Sequence, residues 1–111
     1  MQSLYARYSS EREGHEFIEE PWGFIEYTIS GEICLIHSIY IIPEERLSGK
    51  GSELANRVTQ IALDKGCKFL WSQVWVSMLN STDSLLAILG YGFKLAEAAN
   101  GRIILTKQIG G

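Results

Sequence analysis

A chain of 111 residues suits one domain, and at that size it can bury roughly two-thirds of the surface its unfolded form exposes. A hydrophobic share of 46% beside 21% charged residues excludes a disordered chain, which lacks the apolar groups needed to offset its ordering entropy. The formal charge is −3, and the Lys and Arg residues are scattered without a run or a helical stripe; this argues against a nucleic-acid partner, because a backbone reader needs clustered positive charge.

Met1 to Gly14 is polar, without the apolar core of a secretory leader. No apolar run approaches the roughly 20 residues of a membrane span, so no membrane partner is expected and the cytoplasm is the expected location. Residues 3–13 read as a short helix with thin apolar content, Leu4, Tyr5 and Tyr8, ended by Gly14. A brief strand is expected over 15–19, and the acidic stretch from Glu16 to Glu20 reads as a solvated strand edge. Pro21 then breaks the chain. From Trp22 to Ser30 the pattern alternates: Trp22, Phe24, Glu26, Thr28 and Ser30 fall on one face, Gly23, Ile25, Tyr27 and Ile29 on the other. A tight turn at Ser30-Gly31-Glu32 leads into an apolar strand over 33–42, interrupted only by His37 and Ser38. Together these two segments form a hairpin.

Pro43 ends that strand, and a loop follows, Arg46-Leu47-Ser48-Gly49-Lys50-Gly51. A helix over about 52–65 places Leu54, Ala55, Val58, Ile61 and Ala62 on one face, with Gly66 as its cap. Phe69 to Val76 is nearly all apolar and holds two tryptophans, which predicts a strand buried on both faces. Strand, helix and strand over 33–76 form a crossover, so those two strands should be parallel. Asn80-Ser81-Thr82-Asp83 offers N-caps for a short helix over 83–89, closed by Gly90-Tyr91-Gly92. Residues 93–98 and 102–108 form a last hairpin across Asn100-Gly101, a strong turn signal. Cys34 and Cys67 sit among apolar neighbours, with no CxxC and no His at ligand spacing; they read as buried free thiols, with nothing to support a disulfide or a metal site.

The loop is where the chemistry concentrates. Glycines at 49 and 51 lie between a strand and a helix, where backbone can approach a ligand closely. The first N–H groups of a helix have no internal partner, and the helix dipole adds partial positive charge. A pyrophosphate fits such a place, and Arg46 and Lys50 add charge. Glycines alone are equally the mark of a plain turn. The motif G-x-x-x-x-G-K-[ST] is absent, and G-x-G-x-x-G is absent too, since position 54 is Leu.

The stretch Tyr40-Ile-Ile-Pro-Glu-Glu-Arg-Leu-Ser-Gly-Lys-Gly51 resembles the acetyl-CoA loop of the GNAT family of N-acetyltransferases. That pattern is a hydrophobic strand, often a Pro, then R/Q-x-x-G-x-G/A opening a long helix; Arg46, Gly49 and Gly51 match it. Leu85 to Phe93 resembles the family's second motif, a short helix ending in G-F, here Gly92-Phe93. The resemblance covers about residues 15–108 and implies an α/β fold, a GNAT-like mixed sheet flanked by helices. It implies an N-terminally shortened form, with residues 3–13 as a remnant of the family's second helix. The short front and the Trp-bearing strand are similar to small GNAT-like proteins encoded by bacteriophages, some of them virion components.

The resemblance also implies a mechanism. Acetyl-CoA is the expected cosubstrate, and an amine of a small molecule or a protein the expected acceptor. Loop amides from Arg46 to Ser52 would hold the pyrophosphate, after the strand end at Ile41 and Ile42. The pantetheine arm would lie between two parallel strands that splay apart, with Asn80 near it. The family's usual acid position is occupied by Ile88, which leaves Tyr91 as the neighbouring candidate acid or as a structural residue. Nine residues before the loop Arg, where some members carry a Glu base, stands His37; it is a candidate base or a hydrogen-bonded core residue. On a regular strand it would share a face with Leu35 and Ile39, and Ser38 would point away. His15 has no such context. Glu44 and Glu45 are solvated or face the acceptor. A second chain would complete the open side as a homodimer. The rival reading is a degenerate GNAT fold kept as a CoA-binding or virion module.

Overall fold

The computed structural model describes residues 3–75 and 87–110. In chain order it contains α1 (Leu4–Glu13), β1 (Glu16–Glu20), β2 (Gly23–Ser30), β3 (Ile33–Ile41), a 3-10 turn (Pro43–Glu45), α2 (Lys50–Asp64), β4 (Phe69–Trp75), β5 (Lys94–Ala99) and β6 (Arg102–Gln108). Residues 87–91 are also helical, two residues beyond the expected end at Leu89. The strands form one mixed sheet in the order β1-β2-β3-β4-β6-β5. Among the described residues only β3 and β4 pair in parallel, across the α2 crossover. The expected α/β mixed sheet with flanking helices is therefore the observed fold.

Local chemistry explains the boundaries. The Ser3 side chain accepts from the Ala6 amide and caps α1, while Gly14, at φ 73°, closes it by donating to the Ser10 carbonyl. Asn100 and Gly101 both take positive φ between β5 and β6, as a two-residue hairpin turn requires. Register pairing separates the two faces of the sheet. Ile25, Tyr27 and Ile29 of β2 stand with Cys34 and Ile36 of β3 on the face covered by α2. Phe17 pairs with Glu26 and Glu19 with Phe24 on the opposite face, where α1 lies against β1.

The core sits between α2 and the sheet. Leu54, Ala55, Val58 and Ala62 are the buried face of α2, and Leu54, Val58 and Ala62 share one core cluster with Ile25, Cys34, Leu70, Val74 and Leu105. Each large aliphatic side chain so buried contributes about 1.5–3 kcal/mol. Cys34 and Cys67 are both buried and free, and burial, with Cys67 nearby, pushes the Cys34 thiol up to about 12; it is an inert apolar filler at neutral pH.

One expectation is overturned here. β4 is not buried on both faces: Leu70 and Val74 are buried, but Phe69 and Trp75 are exposed. The helix α2 covers one side of β4, while α1 sits at the far edge on β1. Tryptophans at 71 and 75 make the strand read as wholly apolar, yet they line an open face.

Candidate functional site

The two parallel strands part company midway. β3 pairs with β4 only from Ile33↔Phe69 to Ile36↔Ser72. Beyond that point β3 continues with β2 as far as Gly23↔Ile41, and β4 continues with β6 as far as Trp75↔Arg102. The facing edges past Ile36 and Ser72 therefore carry no ladder bonds to each other among the described residues. At the point of divergence lies a cleft of ≈ 240 Å³, lined by Leu35, Ile36, His37, Trp71, Ser72, Gln73, Arg102 and Ile104. Pairing puts Leu35 with Trp71 and Gln73 with Ile104, so this opening faces the side of the sheet away from α2.

His37 stands at that fork for a reason the alternation does not reveal. Ser38 pairs with Glu26 and Ile36 with Tyr27, so His37 is an extra residue in β3. Such a bulge re-aims side chains locally. The simple two-residue period is corrected accordingly: Ile39 pairs with Ile25 on the α2 face, and Ser38 pairs with Glu26 on the opposite face. His37 is also exposed, which removes the reading of it as a core histidine. Its Nε2 shares a hydrogen bond with Thr28 Oγ1 at 2.8 Å.

The His37 ring stacks on the His15 ring, with centroids 3.9 Å apart and planes inclined by 12°. His15 Nδ1 in turn lies 2.5 Å from Glu26 Oε2 and 3.5 Å from Glu13 Oε2. Glu26 is buried. Desolvation, and then the charge of His15, hold the His37 pKa below the ordinary histidine value, against the smaller opposing pull of Glu26 and Glu13. His37 is thus a neutral imidazole at pH 7, able to accept a proton. His15 and Glu26 are missed by the sequence reading. The available signal is Glu26 itself: a carboxylate between Ile25 and Tyr27 in a half-buried strand must find a partner.

The loop before α2 has the turned backbone expected of it. Leu47 and Gly49 have φ of 62° and 83°, and Gly49 is the N-cap of α2, with no side chain capping the helix. The first-turn amides at Lys50, Gly51 and Ser52 thus have no side-chain acceptor among the described residues. A Cβ on Gly51 would meet nothing within 4 Å, so a ligand can approach. Arg46 Nε donates to the Ile41 carbonyl at 2.9 Å and its guanidinium lies over Tyr40. Lys50 Nζ sits 5.0 Å from the Trp22 ring. Ser48 Oγ donates to the Glu45 carbonyl, and the Ile42 amide to the Trp22 carbonyl. Glu44 is exposed and Glu45 half-buried within the 3-10 turn.

Tyr91 is elsewhere. Its hydroxyl donates to Asn56 Oδ1 of α2 at 2.6 Å and lies 3.4 Å from Thr59 Oγ1. The Lys107 ammonium sits 4.1 Å from its ring centroid. The sheet separates this hydroxyl from the His37 cleft. Ile88 packs against the core. Asn80 and the expected helix start at residue 83 lie outside the described residues. A larger cavity of ≈ 390 Å³ lies among Gly14, Glu16, Tyr27, Ile29 and Lys65; burial and the Glu16 carboxylate raise the Tyr27 pKa, which keeps that phenol protonated.

Comparison with known proteins agrees with the fold. The sequence profile of the acetyltransferase (GNAT) family matches residues 3–99. A thialysine N-epsilon-acetyltransferase of Sus scrofa is 43% identical over 44 residues, which is 40% of this chain and 26% of that protein. The chain thus spans about a quarter of that relative's length. The fold is shared with a GNAT-family protein of Desulfovibrio desulfuricans, at TM-score 0.76 and 16% identity over 86% of this chain and 69% of the other. It is shared also with a GNAT acetyltransferase of Elizabethkingia anophelis solved with acetyl-CoA bound, at TM-score 0.73 and 21% identity over 97% and 83% of the two chains.

Proposed function

Because this chain belongs to the GNAT family of acetyltransferases, we propose that it is an acetyl-CoA-dependent N-acetyltransferase acting on an amine of a small molecule or protein. The fork between β3 and β4 carries the reading. It offers two strand edges to a pantetheine arm, ends near the open amides of the loop before α2, and has a neutral imidazole at its mouth. The acetyl-CoA held by the Elizabethkingia relative supports the same choice of cosubstrate.

In this scheme the loop amides at Gly49–Ser52 bind the pyrophosphate, with Arg46 and Lys50 contributing charge. His37 takes a proton from the acceptor ammonium. The freed amine attacks the thioester carbonyl, a C–N bond forms, and the C–S bond breaks as the tetrahedral intermediate collapses. The nitrogen gives up its remaining extra proton to solvent as the amide forms, and the thiolate takes its proton from solvent. Tyr91 is not assigned that step, since its hydroxyl is engaged by Asn56 behind the sheet.

A second reading is a CoA-binding module without turnover, favoured by Ile88 in the usual acid position. Thiol release from acetyl-CoA over a panel of polyamines, lysine analogues and peptide N-termini, beside calorimetry with acetyl-CoA, separates the two. Release of CoA with one acceptor establishes the enzyme. Binding without release establishes the module. Absence of binding at millimolar acetyl-CoA defeats both.

A further inference from the structure

We propose that His15, tied to the buried carboxylate of Glu26, is a positioning residue that sets the ring plane of His37 at the fork. The inference rests on the reading of His37 as the base. His15 precedes β1 and is two strands away from β3, so nothing in the chemistry of the loop requires it there. Yet its Nδ1 lies 2.5 Å from Glu26 Oε2, and its ring covers the His37 ring face to face at 3.9 Å. Glu26 is 5% exposed, a depth at which a carboxylate is retained only with partners.

The arrangement constrains His37 from two sides. The stack fixes the ring plane. The Thr28 hydroxyl engages Nε2 at 2.8 Å, which leaves Nδ1 as the ring nitrogen without a hydrogen bond among the described residues. The bond made by one imidazole nitrogen decides what the other presents, so Thr28 completes what the stack begins. A bulge residue lacks the steady support of a regular ladder position, and His15 supplies it.

The same contact has an electrostatic consequence. The charged groups around His37 are Glu13 of α1, His15 before β1, Glu26 of β2, and Arg102 of β6 across the cleft. The charge of His15 opposes a second positive charge on His37, so removing it should move the His37 titration upward.

Two variants divide the effects. His15→Phe keeps a stacking ring but has neither charge nor the bond to Glu26. His15→Asn keeps a group able to bond Glu26 but has no ring to stack. Histidine resonances followed by NMR titration of the acceptor-free protein, assigned with His37→Gln, should show His37 titrating at higher pH in both. In turnover assays the acid limb of kcat/KM should move the same way. His15→Asn should also lose roughly 10-fold in kcat with acetyl-CoA affinity unchanged, the scale of a modest misplacement, and His15→Phe should lose less. An unmoved His37 titration in both variants overturns the inference. A moved titration with an unmoved acid limb instead removes His37 as the base. If one variant fails to fold by circular dichroism, the other still decides the titration.

Discussion

At His37 the decisive quantity is the fraction of neutral imidazole. Desolvation and the neighbouring His15 lower its pKa, so the folded protein takes up this proton at lower pH than the unfolded chain does. Between the lowered value and the ordinary value of about 6.5 the unfolded state holds more protons, and stability falls as pH falls through that window. Two outcomes follow for His37→Gln, which keeps some hydrogen bonding and cannot titrate there. The kcat on a verified acceptor should drop by roughly 10²-fold or more, the scale of a lost general base, with calorimetric acetyl-CoA affinity unchanged. The wild-type rate should rise with pH through a limb below the ordinary histidine range. Wild-type turnover with the same pH profile in the variant would move the base elsewhere, to Glu44, Glu45 or solvent. In the sequence His37 stands out because it is a lone polar ring among isoleucines. Its stacking partner cannot be read there, since His15 is separated from it by two strands and two turns.

The strand–loop–helix element around α2 makes a sharper test, because its two glycines do different work. Gly49 has φ 83° with open space around an added methyl, whereas Gly51 has no positive φ and equally open space. Gly49→Ala should therefore cost about 1–2 kcal/mol through left-handed backbone alone, visible as a lower denaturant midpoint. Gly51→Trp should leave the midpoint nearly unchanged but abolish acetyl-CoA binding in calorimetry, because the indole occupies the approach to the first-turn amides. Retained binding in the Trp variant would put the ligand elsewhere. These elements are legible in the sequence: the loop glycines, the amphipathic stripe Leu54–Ala55–Val58–Ala62, the Asn100-Gly101 turn and the parallel crossover all follow from local chemistry. The bulge at His37 is not, because an inserted residue leaves no mark on a two-residue period until its partner strand is known. Nor is the open face of β4, because tryptophan is apolar whether it fills a core or lines a cleft.

On the scale of the whole molecule, the two halves of the sheet are joined by a short ladder. Among the described residues, Ile33–Ile36 against Phe69–Ser72 is the only strand pairing between β1–β3 and β4–β6, with α2 packed across the join through Leu54 and Val58. A ligand that lies in the fork and reaches the start of α2 would touch both halves at once, and would add to a join that the fold itself keeps short. Acetyl-CoA at about 100 times its Kd should stabilise the native state by roughly 2.7 kcal/mol. For a domain of this size that corresponds to a rise in Tm of about 10–20 °C. Coenzyme A without the acetyl group should give most of the same shift, since the pyrophosphate and pantetheine contacts are common to both. Coenzyme A fragments ending at the pyrophosphate would meet only the loop and should give a smaller rise. Thermal melts at increasing ligand concentration test this directly. A rise with acetyl-CoA that survives in Gly51→Trp would mean stabilisation from another site, and no rise at millimolar acetyl-CoA would mean that the open strand edges serve something other than a thioester.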